Sequence, residues 1–150
     1  MVKFITKVLS ICSHSPIVEE TEEHFIEEIH DTGPVDIISL ESEIKDVHFI
    51  RDLLCEMKDD VMVKMESLDE SISANDYQKT IISAHSIKGI ALSMKCDNIA
   101  NSSSKIEKIC MKLSRGDSGV SSEDLSREMY ILKDDVNQFY VFQSEYIKTT

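Results

Sequence analysis

Residues 50–72 read IRDLLCEMKDDVMVKMESLDESI, and this stretch decides the fold of the chain. Its apolar side chains recur at intervals of three and four residues over about six turns, which aligns them along one side of an α-helix. They are Ile50, Leu54, Met57, Val61, Met65, Leu68 and Ile72. An apolar stripe of this length on one face predicts a long helix that packs in a bundle.

The same periodicity recurs on both sides of this helix. We predict a short helix around residues 36–44 before it, and three further helices after it, over about 76–94, from about 97 and from about 121 to the carboxyl end. Turn and cap residues separate them: Asp76 and Asp97 as helix caps, and Ser121 with Asp124 as a capping box. The predicted fold is all-α, an antiparallel up-down four-helix bundle with one or two additional N-terminal helices.

The amino-terminal part differs in composition from the rest. Residues 1–18 carry two lysines and no acid, whereas residues 19–31 carry seven acids and no base. Ser15-Pro16 is typical of a helix start, and Gly33-Pro34 of its end. We therefore divide the chain into an arm with an acidic helix (residues 1–34) and the bundle (residues 35–150). Packing of this arm on the bundle and dimerisation through it are both open alternatives to a monomer.

Composition restricts the function. A net charge of −12 argues against nucleic acids and anionic membranes as partners, because both favour basic patches, so proteins are the expected partners. Four cysteines lie far apart without a Cys-x-x-Cys pair, as expected of reduced thiols in the cytoplasm and not of a zinc site or disulfide framework: Cys12, Cys55, Cys96 and Cys110. No segment has about 18 consecutive apolar residues, so no membrane span is expected. We expect no metal and no cofactor.

The hexapeptide Ala84-His85-Ser86-Ile87-Lys88-Gly89 carries the chemistry. Helical geometry places Lys88 and Gly89 one turn beyond His85, on either side of it, and turns His85 about 100° away from the apolar stripe. On the same helical count we expect Lys88 to point to solvent. A neutral histidine nitrogen is a nucleophile, a neighbouring lysine stabilises phosphoryl oxygens, and glycine leaves room for a partner surface. This layout is suited to carrying a phosphoryl group.

The hexapeptide, on the second long helix of a bundle, resembles the motif of histidine-containing phosphotransfer (HPt) domains. Residues 51–57 resemble the first bundle helix of that family, and Ile99 and Ile106-Glu107 fall where its next helix has apolar positions and a glutamate. The resemblance covers about residues 35–146. It implies that His85 is phosphorylated, that Lys88 stabilises phosphoryl charge, and that Gly89 gives a receiver domain access.

The resemblance also implies a docking patch around His85. On helical position, Gln78, Ile82 and Leu92 are candidates for receiver binding, together with Ile50 or Leu54 from the preceding helix. For Ile50 and Leu54 a position in the core is an equal alternative. The chain departs from the family after Gly89, where it has Leu92 and no glycine at the helix end. We therefore expect the helix to turn without glycine, and Leu92 to narrow the choice of receivers.

The leading interpretation is a phosphorelay intermediate that takes a phosphoryl group from the aspartate of one receiver domain, on a hybrid sensor kinase, and passes it to that of another, on a response regulator. Nothing resembles a nucleotide-binding loop, so we expect a carrier without kinase activity, with Mg²⁺ on the receiver partner. One alternative is direct phosphorylation by a chemotaxis-type histidine kinase domain in trans. Another is a non-phosphorylated helical adaptor that binds receiver domains.

Overall fold

The computed structural model describes residues 33–150 of the chain. Within that range it contains five helices and no strand: α1 Ile37–Ile44, α2 Val47–Ser73, α3 Tyr77–Ser93, α4 Asp97–Ser114 and α5 Ser122–Thr149. Helices consecutive in sequence pack against one another from α1 to α5, and α2 also contacts α5, which closes the bundle. The predicted all-α fold is confirmed, with α1 as an additional helix before the four long ones.

The core is built from the predicted stripes. Five of the predicted side chains of α2 and two of α5 are completely buried, with an exposed fraction of 0 %. They are Ile50, Leu54, Met57, Val61 and Leu68 of α2 and Leu132 and Phe139 of α5. The other predicted inward positions that the structure buries are Ala84, Ile87, Ala91, Met94, Ile99, Ser103, Ile106, Cys110, Leu125, Met129, Val136 and Gln143. Close packing of these side chains holds the four long helices together, because burial of apolar area is the main favourable term in folding.

Short polar side chains begin most of the helices. Asp76 accepts a hydrogen bond from the amide of Lys79 at 3.0 Å, as predicted. Ser121 and Asp124 form the predicted capping box. The prediction for Asp97 is wrong: Asp97 is the first residue of α4, and the flanking residue Cys96 makes no side-chain hydrogen bond that caps the helix.

The connection from α3 to α4 turns without glycine, as expected. Lys95 takes a left-handed conformation with φ 56°, which L-residues with bulky side chains adopt only at a cost in free energy. Its carbonyl accepts a hydrogen bond of 2.9 Å from the amide of Asp36, and its ammonium group lies 3.1 Å from Glu43. These contacts hold the turn between α3 and α4 against both ends of α1, through Asp36 before its first residue and Glu43 in its last turn.

Two predictions concern residues outside the described part of the chain. The acidic helix predicted after Ser15-Pro16 lies there, and so does most of the amino-terminal arm. The described residues belong to one compact unit that extends over Thr32–Thr150. The boundary between residues 34 and 35 stays a prediction. Among residues 33–150, no helix combines the length and the hydrophobicity that a membrane crossing requires.

Candidate functional site

His85 lies on the outer face of α3. The opposite face of the helix is in the core, where Ala84 and Ile87 are both 0 % exposed, while the His85 side chain is 69 % exposed. Hydrogen-bonding side chains fix how α3 sits against α2, because the hydroxyls of Ser67 and Ser83 lie 3.2 Å apart. The sequence prediction that His85 points away from the apolar stripe is confirmed.

Glu107 on α4 connects two side chains of α3. Its Oε1 atom lies 3.0 Å from Nδ1 of His85, and its Oε2 atom lies 3.6 Å from Nζ of Lys88. The Glu107 side chain is only 11 % exposed, so its carboxylate faces these two partners in a largely dry seam between the helices. A buried carboxylate requires such partners, since an unpaired buried charge is costly.

This contact determines which nitrogen of the neutral His85 ring carries the proton. An ionised carboxylate only accepts hydrogen bonds, so the neutral imidazole places its proton on Nδ1 and donates it to Glu107. The lone pair is then on Nε2, at the other side of the ring. An exposed imidazole with a free Nε2 lone pair is a nucleophile for an electrophilic centre presented by a partner.

Lys88 is less exposed than helical position predicted. It was expected to point to solvent, whereas its side chain is 33 % exposed and its ammonium group is directed at Glu107. The reason is the packing of α4 against α3, which brings a carboxylate from another helix within reach. Lys88 still lies one turn beyond His85, so its charge remains next to the imidazole.

Gly89 and the predicted docking residues share the outer face with His85. A Cβ atom built on Gly89 has no heavy atom within 4 Å, so the space beside His85 is open. Ile82 is 66 % exposed and Leu92 43 % exposed, and Gln78 is also exposed. Large apolar side chains exposed next to an open position form a surface that a partner protein can cover.

The prediction that Ile50 or Leu54 contributes to this surface is wrong. Both side chains are completely buried, because α2 turns the stripe that contains them toward the core. The exposed large apolar residues of α2 are instead Val47 (40 %), Met62 (45 %) and Val63 (58 %). Helical position within α2 alone did not indicate which side of that helix faces α3.

The site is an open surface and not a cavity. A shallow groove of about 410 Å³ lies elsewhere, on α5, and is lined by Pro34, Asn137, Gln138, Val141, Phe142 and Glu145. In the part of the chain from 33 to 150, no three histidine, cysteine or acidic side chains are grouped as a metal ion requires. His85 is thus an exposed imidazole on an open helical surface.

Glu107 is the site residue that sequence reasoning missed. It was noted only as part of the family resemblance and was given no contact with His85. The sequence did contain a signal. Glu107 is a charged residue on the same side of α4 as Ala100 and Ser103, seven and four residues before it, and those small side chains are 3 % and 0 % exposed. A carboxylate on an inward-facing strip of a helix requires a partner, and His85 and Lys88 are that partner.

Comparison with protein families agrees with this geometry. The family model of the Hpt domain matches residues 52–139, which is more than half of the chain. The chain belongs to the Hpt domain family. Hpt domains are phosphocarrier modules and not kinases, and they interact with receiver domains of two-component proteins. The match includes His85, Lys88, Gly89 and Glu107. No curated protein and no solved structure matches the chain.

Proposed function

We propose that this Hpt protein carries a phosphoryl group on His85, taken from the aspartate of one receiver domain and passed to the aspartate of another. The observation that carries the proposal is the contact between Glu107 and the exposed imidazole of His85 at 3.0 Å. It presents a histidine with one nitrogen engaged and the other free on the surface of a phosphocarrier fold.

The transfer step follows from this arrangement. Nε2 of His85 attacks the phosphorus atom of the aspartyl phosphate, a P–N bond forms, and the P–O bond to the aspartate breaks so that its carboxylate leaves. The ring keeps its Nδ1 proton and gains positive charge as Nε2 becomes bonded. Glu107 stabilises that charge, because its carboxylate already accepts the Nδ1 proton in a hydrogen bond. The return transfer uses the same contacts in reverse.

Lys88 offsets the negative charge that gathers at the site. The phosphoryl group brings about two negative charges near the carboxylate of Glu107, and the ammonium group of Lys88 lies 3.6 Å from that carboxylate. From this position it is one turn from the imidazole and within reach of the phosphoryl oxygens. Positive charge fixed beside a transferring phosphoryl group is a general means of lowering the barrier.

The partner proteins supply the rest of the reaction. Gly89 leaves the approach to His85 open, and Ile82, Leu92 and Gln78 are proposed to contact the receiver. We expect Mg²⁺ to be held by the receiver and no cofactor to be held by this chain. The expected partners are the receiver domain of a hybrid sensor kinase and that of a response regulator, both in the cytoplasm, with this chain as a monomer.

Two alternatives differ from this proposal, one in the source of the phosphoryl group and the other in having no phosphorylation of His85. A chemotaxis-type kinase domain with ATP would phosphorylate His85 in trans, and an adaptor would bind receivers without being phosphorylated. The experiment compares a receiver domain loaded with acetyl phosphate and Mg²⁺ against an isolated kinase domain with ATP, each mixed with the full chain. Label transferred only from the receiver supports the proposal. Label only from the kinase domain contradicts it, and binding without label supports the adaptor.

A further inference from the structure

Basic residues are concentrated on the helices that form the site. The chain as a whole is strongly acidic, with a net charge of −12. Helices α3 and α4 nevertheless carry five lysines and only two acids between them, whereas α2 carries seven acids against three basic residues. The three lysines of α4 recur at i, i+3 and i+7, which aligns them along one side of that helix.

Two of these lysines lie on the exposed face of α4, adjacent to the strip that carries Glu107. Lys108 follows Glu107 in sequence, so it emerges about 100° around α4 from the carboxylate that contacts His85. Lys108 and Lys112 are both exposed. Lys105 differs, because its ammonium group lies 3.9 Å from Glu128 of α5. Lys88 is engaged with Glu107.

The acids of α2 lie on the other side of α3. Ser67 of α2 contacts Ser83 of α3, which fixes α2 on the side away from the Glu107 contact. Five of the six exposed acids of α2 occupy one ridge of that helix, formed by Asp52, Glu56, Asp59, Glu66 and Glu70. The sixth, Asp69, faces α5, where it pairs with Lys133 at 2.8 Å. The surface on either side of His85 is therefore polarised, basic toward α4 and acidic toward α2.

We infer that Lys108 and Lys112 form a specificity surface, which selects receiver domains that carry acidic residues on the part of their rim that meets α4. This inference rests on the proposed function, because it names the partner chemistry at the same site. Opposite charges across an interface increase the rate of productive encounter, and like charges disfavour the wrong partner. A receiver with a basic rim meets repulsion at α4.

The test uses the full chain and a panel of isolated receiver domains loaded with acetyl phosphate and Mg²⁺, chosen to include acidic and basic rims around the phosphorylated aspartate. The variant is Lys108→Glu with Lys112→Glu, and Lys108→Gln with Lys112→Gln separates loss of attraction from repulsion. The matched control is Lys148→Glu, since Lys148 is exposed in the last turn of α5 as Lys112 is in that of α4. Initial transfer rates are measured at several salt concentrations.

We expect the parent to accept label faster from acidic-rim receivers than from basic-rim ones at low salt. For acidic-rim receivers, the glutamate variant should transfer label about tenfold more slowly than the parent, and its rate should depend little on salt. The glutamine variant should show a smaller decrease in rate. The rate of Lys148→Glu should change by less than about twofold. Equal transfer from both receiver groups, or a glutamate variant equal to the Lys148→Glu control, overturns the inference and leaves the proposed function intact. Absence of label from every receiver in the parent protein overturns the proposed function, and the inference with it.

Discussion

Glu107 joins His85 across the seam between α3 and α4, with 3.0 Å between Oε1 of the carboxylate and Nδ1 of the imidazole. The same carboxylate lies 3.6 Å from the ammonium group of Lys88. One largely buried acid therefore orients the imidazole and holds the neighbouring cation. The orientation of the His85 ring depends on a residue of another helix as well as on its own motif.

Replacing Glu107 by alanine should slow phosphoryl transfer by about 10- to 100-fold, because the imidazole loses the acceptor that fixes its tautomer and stabilises its developing charge. Glu107→Gln keeps an acceptor oxygen for the Nδ1 proton but no charge, so its rate should fall between the two. Phosphoryl-transfer assays quenched at successive times measure the rates, and ¹⁵N chemical shifts of the His85 ring report the tautomer. Rates equal to the parent in both variants would show that Glu107 has no part in transfer.

Lys88→Ala should slow transfer or shorten the lifetime of the phosphorylated protein while the bundle remains folded. The ion pair with Glu107 is partly solvated, so we expect the free energy of unfolding to change by about 1 kcal/mol or less. Lys79→Ala is the matched control, since Lys79 is on the same helix and pairs with Glu70 at 3.8 Å, away from His85. Equal transfer rates for the two variants would contradict a role for Lys88.

Substitutions of Gly89 distinguish an effect on the stability of α3 from an effect on the access of a partner to His85. Because a Cβ atom meets nothing within 4 Å, Gly89→Ala should stabilise the helix by up to about 1 kcal/mol. Gly89→Leu should keep much of that stability but slow transfer, since its side chain occupies the approach to His85. Gly116→Ala is the contrast, because Gly116 has φ 75°, and alanine there should destabilise the bundle without slowing transfer. Fast transfer by Gly89→Leu would refute the access role.

Asp135 should make stability depend on pH. Burial raises its pKa, against a hydrogen bond of 2.8 Å donated by Ser102 that lowers it. The folded protein therefore binds this proton more tightly than the unfolded chain does. At pH above the folded-state pKa, Asp135 is ionised and lowers the free energy of unfolding. At pH below the unfolded-state pKa, it is protonated in both states and this cost is absent. Asp135→Asn should therefore be more stable than the parent at pH 7, and the difference should shrink as the pH falls toward 4.

Urea unfolding at several pH values measures this difference. Asp117→Asn, in the exposed loop before α5, is the control and should change stability by less than about 0.5 kcal/mol at every pH. A parent that is more stable than Asp135→Asn at pH 7 would mean that the hydrogen bond from Ser102 outweighs the cost of burial.

What could be predicted from sequence was local. The stripe from Ile50 to Ile72, the cap at Asp76 and the capping box at Ser121 depend on residues a few positions apart, and the structure confirms them. Asp97 was predicted wrongly because a cap depends on where the backbone turns, and the left-handed Lys95 places Cys96 at that position.

What could not be predicted depends on how the helices pack. Glu107 and His85 are 22 residues apart, and only the packing of α4 against α3 brings them together. The same packing draws Lys88 away from solvent. Ile50 and Leu54 could belong to the core or to a docking surface on periodicity alone, and the rotation of α2 within the bundle places both in the core. Helical phase identifies a face, but its neighbours are set by the tertiary structure.

His85 is the proposed carrier of the phosphoryl group. The direct measurement is acid-labile label on the full chain after mixing with a receiver domain loaded with radioactive phosphate, compared between His85→Gln and His48→Gln. His48 is the matched control, because it is an exposed helical histidine in the first turn of α2. We predict that His48→Gln is labelled like the parent and His85→Gln is not. Label that persists in His85→Gln would show that another residue carries the phosphoryl group.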